Sequence, residues 1–377
     1  MRRFWPFVGG VERTLANLAV EMVESGVEVT VLTARLEPGW PAEIDYRGVT
    51  VVRLPYWNRF ANIRYNYTLS RWLRRNRDRF DVVCVSTLKQ DAYTTVKAIG
   101  RVRPVVLRAE ESGRFGDCMW QLDAKGGERI KRQCLKAAAF VGPSRMIERD
   151  LQAAGYQRDR IKYIPNGPAP MDERSKERRT AARDALADID SSFRMPSWAP
   201  LVVYNGRLAE SRGLAHLVAA WETIVARWPN AKLYLCGDGP YRKELKQQID
   251  ARHLDCCVSM IGSFDQVEEL FAAADLFVLP TLQEGMPIDL LEAMEAGLPI
   301  VATNLRSNLE WITGGEDALC VPTKDANALS DAMQVILDQP KVAKELGRVA
   351  RERAKNDFPL ARMVDEHLSL FERLIDV

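Results

Sequence analysis

Short apolar runs alternate with helix-like patterns along almost the whole chain. In the first half the runs are Val27 to Thr33, Val49 to Leu54, Asp81 to Ser86, Pro104 to Arg108, Ala138 to Gly142 and Ile161 to Pro165. Nearly continuous apolar runs of this length suit parallel strands covered on both faces, and the helices between them supply the cover. The first half therefore predicts one doubly wound α/β unit. Met171 to Phe193 is charged and strandless, which predicts a linker carrying a solvated helix. The strand pattern restarts at Pro200 to Gly206 and continues through Ala231 to Gly237, Cys257 to Gly262, Asp275 to Pro280, Pro299 to Thr303 and Ala318 to Pro322. A last periodic helix is expected from Leu360 to Ile375. The expected organisation is a first Rossmann-like domain over 1–170, a linker over 171–196, a second Rossmann-like domain over 197–356, and a segment over 357–377 that packs on either domain. Two such sheets facing each other make a cleft, and open α/β sheets bind ligands beyond the carboxyl ends of their strands.

The start of the chain breaks this pattern. Only MRRFWPFV precedes Gly9 and Gly10 and the helix expected over Val11 to Ser25, which leaves no room for the strand that normally feeds a glycine-rich turn. Trp5-Pro6 favours an extended or turning chain over a central strand. The expectation is a natural chain that begins further upstream, with Met1 an internal or misassigned start.

Composition narrows the class. A chain of 377 residues that is 47% hydrophobic and 28% charged is too long for one ordinary core and too apolar for disorder. The net charge of +2, from 53 basic and 51 acidic residues, gives no chain-wide reason to expect nucleic acid. Seven cysteines without a CxxC pair read as reduced, structural thiols of a cytoplasmic protein. No apolar run reaches the length of about 18 to 20 residues that a membrane helix needs, and the N-terminus lacks the apolar segment of a signal peptide. Tyr56 to Phe80 interleaves arginines with aromatic residues. Tyr67, Trp72 and Leu73 with Arg71, Arg74 and Arg75 make a candidate contact with an anionic membrane, on the inner face of the membrane for a cytoplasmic protein. The competing reading is a solvated helix whose aromatics pack inward.

Three loops after strands of the second half are polar in a way that core packing does not require. One carries Arg207 at the strand end and Arg212 at the start of a helix over Leu214 to Ala226. The next is GDGP, Gly237 to Pro240, whose glycines allow close backbone approach. The third is EGMPIDLLEAMEAGLP, Glu284 to Pro299, with Pro287 suited to the first position of a short helix and Gly297 to its left-handed stop. Free amides of Gly285, Met286 and Ile288 would then face an anion with the helix dipole behind them. Arginines and amides suit a diphosphate, and the carboxylates of Glu284 and Glu292 suit hydroxyls, which are the needs of a sugar nucleotide. Taken singly, the arginines read as surface ion pairs and GDGP as a turn. Their joint arrival on three strand ends of one sheet favours a site.

These residues resemble a family. GRL followed by Arg212 and Gly213, GDGP, the E-x7-E pair of EGMPIDLLE, and AGLPIVAT are similar to the retaining GT-B glycosyltransferases of family 4; PNG (Pro165 to Gly167), VGPS (Val141 to Ser144) and GGVERTLANLAVEM match its other segments. The resemblance implies two Rossmann-like domains, a nucleotide-sugar donor such as a UDP- or GDP-hexose, a saccharide or lipid-linked acceptor, and no cofactor or metal. By it, Arg207 and Arg212 clamp the donor diphosphate, with Arg212 standing where the family usually has lysine. Glu292 holds the ribose and Glu284 the transferred sugar. The backbone of Gly285, Met286, Pro287 and Ile288 lines sugar and phosphate beside Gly237 and Gly239, and Gly9 and Gly10 bring first-domain amides to the phosphate. Where the family often has a histidine after the fourth strand, this chain reads RAEESGRFGDCMWQL, Arg108 to Leu122, and its histidines are His216, His253 and His367. Glu110, Glu111 or Asp117 are the candidates for the polar role near the acceptor.

Two other classes share parts of this pattern. A nicotinamide-dependent oxidoreductase also uses paired α/β domains, but GDGPYR has Arg242 where the dinucleotide fingerprint needs a third glycine. A non-catalytic glycan-binding relative would be expected to lose the donor clamp, whereas Arg207, Arg212, Glu284 and Glu292 are all present.

Overall fold

A computed structural model describes residues 1–6, 9–56, 61–190, 193–263, 267–283 and 286–376. The chain divides into two compact units: Met1–Phe7, Val11–Gly167 and Leu360–Val377 form one, and Val8–Gly10 with Pro168–Pro359 form the other.

The first unit runs α1 (Gly10–Glu24), β1 (Thr30–Arg35), β2 (Glu43–Tyr46), β3 (Val49–Pro55), α2 (Ala61–Arg75), β4 (Val83–Ser86), α3 (Gln90–Ile99), β5 (Val105–Arg108), α4 (Asp117–Asp123), α5 (Gly127–Cys134), β6 (Ala139–Gly142), α6 (Arg145–Ala153) and β7 (Ile161–Tyr163). The expected single sheet is instead two, ordered β1-β3-β2 and β4-β5-β6-β7. The reason lies beside β1. The Ala34 N–H donates to the Arg2 carbonyl at 3.1 Å and the Met1 amino group to the Leu32 carbonyl at 3.3 Å, while Trp5 and Pro6 already turn away. Isolated bonds of this kind line the edge of β1 without making a ladder that joins the two sheets. Arg2 is anchored across the gap, its Nη2 2.7 Å from the Asp91 carboxylate of α3. The sequence reading also missed β2, a short antiparallel edge strand on β3 whose four residues leave no buried face to betray it.

The second unit runs α7 (Lys176–Ile189), β8 (Leu201–Asn205), α8 (Leu214–Arg227), β9 (Lys232–Cys236), α9 (Arg242–Ala251), β10 (Val258–Gly262), α10 (Val267–Ala273), β11 (Leu276–Leu279), α11 (Ile288–Glu295), β12 (Ile300–Thr303), β13 (Leu319–Val321), α12 (Ala326–Asp338) and α13 (Pro340–Asp357). Its six strands pair in parallel in the order β10-β9-β8-β11-β12-β13. The chain moves outward from β8 to β10, then returns to start again at β11 on the other side, so the topological switch point falls between β8 and β11. Every residue of both strands is buried, as central parallel strands require. The linker helix α7 is less solvated than its charge suggests. Arg183 is buried, donating from Nε to the Ala273 carbonyl at 3.0 Å and from Nη2 to Asp275 at 2.7 Å, and Asp275 also accepts from the Leu201 amide at 2.8 Å. This buried ion pair ties α7 to the start of β8 and β11.

The final helix, α14 (Leu360–Ile375), belongs to the first unit. Its Leu360, Met363, Val364 and Leu370 share a core with Leu18 and Met22 of α1, Val106 of β5, and Ala139 and Val141 of β6. His367 is buried there, its Nδ1 2.7 Å from the Met363 carbonyl. Burial, reinforced by the charge of Arg108, pushes its pKa down to about 4. The unfolded chain binds that proton near the ordinary value of 6.5 and the folded chain only near 4, so stability falls as pH drops through this window, by at most about 3 kcal/mol. His367→Leu should flatten the pH dependence between about pH 7 and 4.5 in urea unfolding. A variant as acid-sensitive as the parent would show that His367 does not carry the effect.

Candidate active site

The three loops singled out in the sequence follow β8, β9 and β11, which are neighbours in the sheet. They are knitted together by backbone. The Leu208 N–H donates to the Asp238 carbonyl at 3.0 Å, the Tyr241 N–H to the Leu208 carbonyl at 3.0 Å, and the Leu282 N–H to the Ser211 carbonyl at 2.8 Å. The glycines make this approach possible. A Cβ on Gly237, whose φ is +129°, would lie 1.9 Å from the Gly206 carbonyl oxygen. One on Gly239 would lie 2.2 Å from the Leu208 oxygen, and one on Gly213 would lie 2.0 Å from the Pro280 oxygen. The close approach expected of GDGP is therefore first an approach of loop to loop.

Arg207 leaves this knot exposed at the end of β8, and among the described residues its side chain makes no ion pair. Arg212 ends a short 3-10 turn, Glu210–Arg212, just before α8 and is half-buried. Beneath them lies a residue that sequence reasoning did not single out. Asp289, in the first turn of α11, is almost fully buried and accepts from Asn205 Nδ2 at 2.9 Å. The Tyr204 hydroxyl donates to the Arg207 carbonyl at 2.9 Å. Burial raises the pKa of that hydroxyl; the charge of Arg212 opposes the shift and that of Asp289 adds to it, so both charges lie close to the ring. Asp289 thus braces the turn that carries Arg207. The signal was a carboxylate in the first turn of a helix that buries all eight of its residues, Glu292 and Glu295 among them.

The third loop corrects two expectations. Pro287 is the N-cap of α11, with φ −83° and ψ 80°, and the helix begins one residue later at Ile288. The Ile288 amide, expected to be free for a phosphate, donates to the Met286 carbonyl at 3.1 Å, because the turn before the cap closes on itself. Gly297 does adopt the left-handed stop, with φ +68°. Glu292 is buried on α11, as is Met286 before it. Glu284 and Gly285 lie outside the described residues. Gly9 and Gly10 stand at the start of α1, and Gly10 is its first residue.

In the first unit the three acidic candidates have different settings. Asp117, at the start of α4, is buried and accepts from the Thr87 hydroxyl at 2.9 Å and from the Leu88 and Glu110 amides at 3.2 and 3.1 Å. It serves as a strut between the loops after β4 and β5. Glu110 accepts from the fully buried Arg108 at 2.5 Å and from the Ser86 hydroxyl at 2.7 Å. Burial raises its pKa, and Arg108 works against that rise. Arg108 also holds Asn166 of the PNG segment. Glu111 is exposed.

Two doubly wound units, the second with three interlocked loops at its switch point, are the architecture of the GT-B glycosyltransferases. A family profile for "Glycosyl transferases group 1" matches residues 188–353, and one for "Glycosyltransferase Family 4" matches residues 8–168. The chain is 27% identical over 371 residues, covering 97% of this chain and 95% of the other, to the lipopolysaccharide core biosynthesis glycosyltransferase LpsD of Rhizobium meliloti. Sucrose-phosphate synthase from Thermosynechococcus elongatus superposes with a TM-score of 0.79 at 21% identity, covering 98% of this chain and 94% of that one. Anabaena HepE, solved in complex with UDP-glucose, gives 0.77 at 17% identity, covering 99% and 98%. The chain belongs to glycosyltransferase family 4, the glycosyl transferases group 1.

Gly237→Ala should cost roughly 2 kcal/mol or more of stability, combining a steric clash with an unfavourable φ. Gly262→Ala, where φ is +77° and no described residue would lie within 4 Å of the added Cβ, should cost only the left-handed penalty of about 1 kcal/mol. Urea unfolding of the pair checks this, and equal losses would mean that the loop contact tolerates a methyl group.

Proposed function

We propose that this glycosyltransferase moves a hexose from a uridine or guanosine diphosphate sugar to a saccharide or lipid-linked acceptor, with retention at the anomeric carbon and without a divalent metal. The observation that carries the reading is the post-β8 loop, whose backbone is bonded to Tyr204 and to the GDGP loop and whose base at Asn205 is bonded to Asp289 of α11. Arg207 and Arg212 take the donor diphosphate, with a smaller contribution from the positive end of α11, which Asp289 partly offsets. Glu292, rigid within the helix, accepts from the ribose hydroxyls. Glu284 accepts from hydroxyls of the transferred sugar, and the backbone of Met286 and Pro287 lines its edge. As the bond from the anomeric carbon to the phosphate oxygen breaks, the acceptor oxygen bonds to that carbon on the same face. The acceptor proton passes to the departing phosphate, whose charge the arginines stabilise. In the first unit, Glu110 is held by Arg108 and Ser86 in one orientation and is the better placed of the acidic candidates to receive an acceptor hydroxyl. The complex of HepE with UDP-glucose and the part LpsD plays in lipopolysaccharide core synthesis support a sugar nucleotide and a saccharide as the reactants. A lipid-linked acceptor would bring the protein to the cytoplasmic face of a membrane.

Thermal-shift titration with uridine, guanosine and adenosine diphosphate sugars identifies the donor. Arg207→Ala and Glu292→Ala should each weaken its binding by roughly 1.5 to 3 kcal/mol, the size of a charge-assisted hydrogen bond. Unchanged affinity in both variants would remove the donor site from these loops. Sugar transfer should also persist in excess chelator, and complete loss that a divalent metal restores would overturn the metal-free chemistry.

A further inference from the structure

Helix α2 of the first unit has two unlike faces. Tyr65, Leu69 and Leu73 form its buried face. This rearranges the membrane contact expected from the sequence, since Leu73 points inward and Trp72 is half-buried, stacked on Phe80 with ring centroids 6.3 Å apart. Residues 57–60 of that stretch lie outside the described residues. The outward face is a different set. Ile63 and Tyr67 are 70% and 64% exposed, among the most exposed large apolar side chains of the chain. With Arg71 and Arg74 they stand at i, i+4, i+8 and i+11, one line along the helix, and Arg64 and Arg75 flank that line. Arg64, Arg71, Arg74 and Arg75 are all exposed, and the helix contains no acidic residue. Arg71, Arg74 and Arg75 make no ion pair among the described residues. Asp78, just past the helix, is shared between Arg77 at 3.8 Å and Arg103 at 4.0 Å.

A solvated helix has no need of two apolar side chains one turn apart on its outer face, and its charges normally alternate in sign. We infer that this face of α2 lies on an anionic lipid surface, with Ile63 and Tyr67 entering the headgroup layer and the arginines meeting lipid phosphates. Charge of one sign matches an anionic bilayer, and an aliphatic with a tyrosine matches its interface, where an aromatic ring keeps its hydroxyl wet. A polyanion such as nucleic acid would use the arginines and leave Ile63 without a role. The inference rests on the lipid-linked acceptor of the proposed function for its biological sense, but not for its physical basis.

The test is co-sedimentation of the full chain with vesicles of phosphatidylcholine alone and of phosphatidylcholine containing about 30% phosphatidylglycerol. Binding to the anionic vesicles should be at least tenfold tighter, and salt of about 0.5 M should largely abolish the difference. Arg71→Glu with Arg74→Glu should remove the preference. Ile63→Ser with Tyr67→Ser, which leaves the charge unchanged, should weaken anionic binding about threefold or more. Equal binding to both vesicle types, or no effect of either double variant, overturns the inference. Loss through the arginine pair alone, with the Ser pair neutral, overturns it in favour of a soluble polyanion. Nucleotide-sugar binding, measured by thermal shift in the same variants, should be unchanged. If the parent binds no nucleotide sugar, the transferase reading fails and the vesicle result still stands or falls by itself.

Discussion

Backbone carbonyls at three adjacent strand ends of the second unit come closer to neighbouring α-carbons than any side chain permits. Gly206 against Gly237, Leu208 against Gly239 and Pro280 against Gly213 are contacts that only glycine allows, and two of the three glycines adopt φ values that other residues avoid. Once these contacts form, the loops after β8, β9 and β11 cannot move independently. Arg207 and Arg212 then ride on a rigid base, held from below by Asn205, Tyr204 and Asp289. Preorganisation of this kind lets charged groups act on a substrate without the cost of rearranging at the moment of reaction.

Asp289 qualifies the simplest account of anion binding at α11. A carboxylate in the first turn satisfies the helix dipole internally and opposes a bound phosphate. Its burial beneath the arginine loop gives it a different effect, holding the loop's geometry while partly cancelling its positive field. The Ile288 amide is likewise spent within the protein. In the proposed donor site, the attraction for a diphosphate would therefore rest mainly on the two guanidiniums, and Arg212 offers a planar fork of fixed direction where a lysine would offer a point charge.

Much of the architecture was legible in the sequence, because parallel strands buried on both faces must be continuously apolar; β8, β9 and β11 lie within the runs read as strands. The approximate place of each polar loop followed from the same pattern. What stayed hidden depended on contacts distant along the chain. The division of the first unit into two sheets turns on how residues 1–4 meet β1, and α7 read as solvated because its arginine found Asp275 some ninety residues away. Asp289 was not singled out, because its partner Asn205 lies some eighty residues earlier in the chain. Pro287 missed the first helical position by one residue, an error that local sequence rules make easily.

Histidine shows how far composition misleads about position. All three histidines lie in the second half of the sequence, yet α14 carries His367 into the core of the first unit, near enough to Arg108 for that charge to lower its pKa. It does not supply a charged histidine near the end of β5. Burial and a neighbouring guanidinium keep it neutral at physiological pH, and its Nδ1 faces the backbone of its own helix. The ionisable chemistry at that strand end belongs to Arg108 and Glu110. Burying a guanidinium is costly unless acceptors surround it, and Glu110 and Asn166 supply acceptors to its two terminal nitrogens. Removing Glu110's charge would leave Arg108 under-compensated, so the carboxylate supports the fold whatever its proposed part at the acceptor. Its effect on acceptor binding is therefore separable from its effect on stability only by comparing substitutions that keep a hydrogen-bond acceptor with ones that do not.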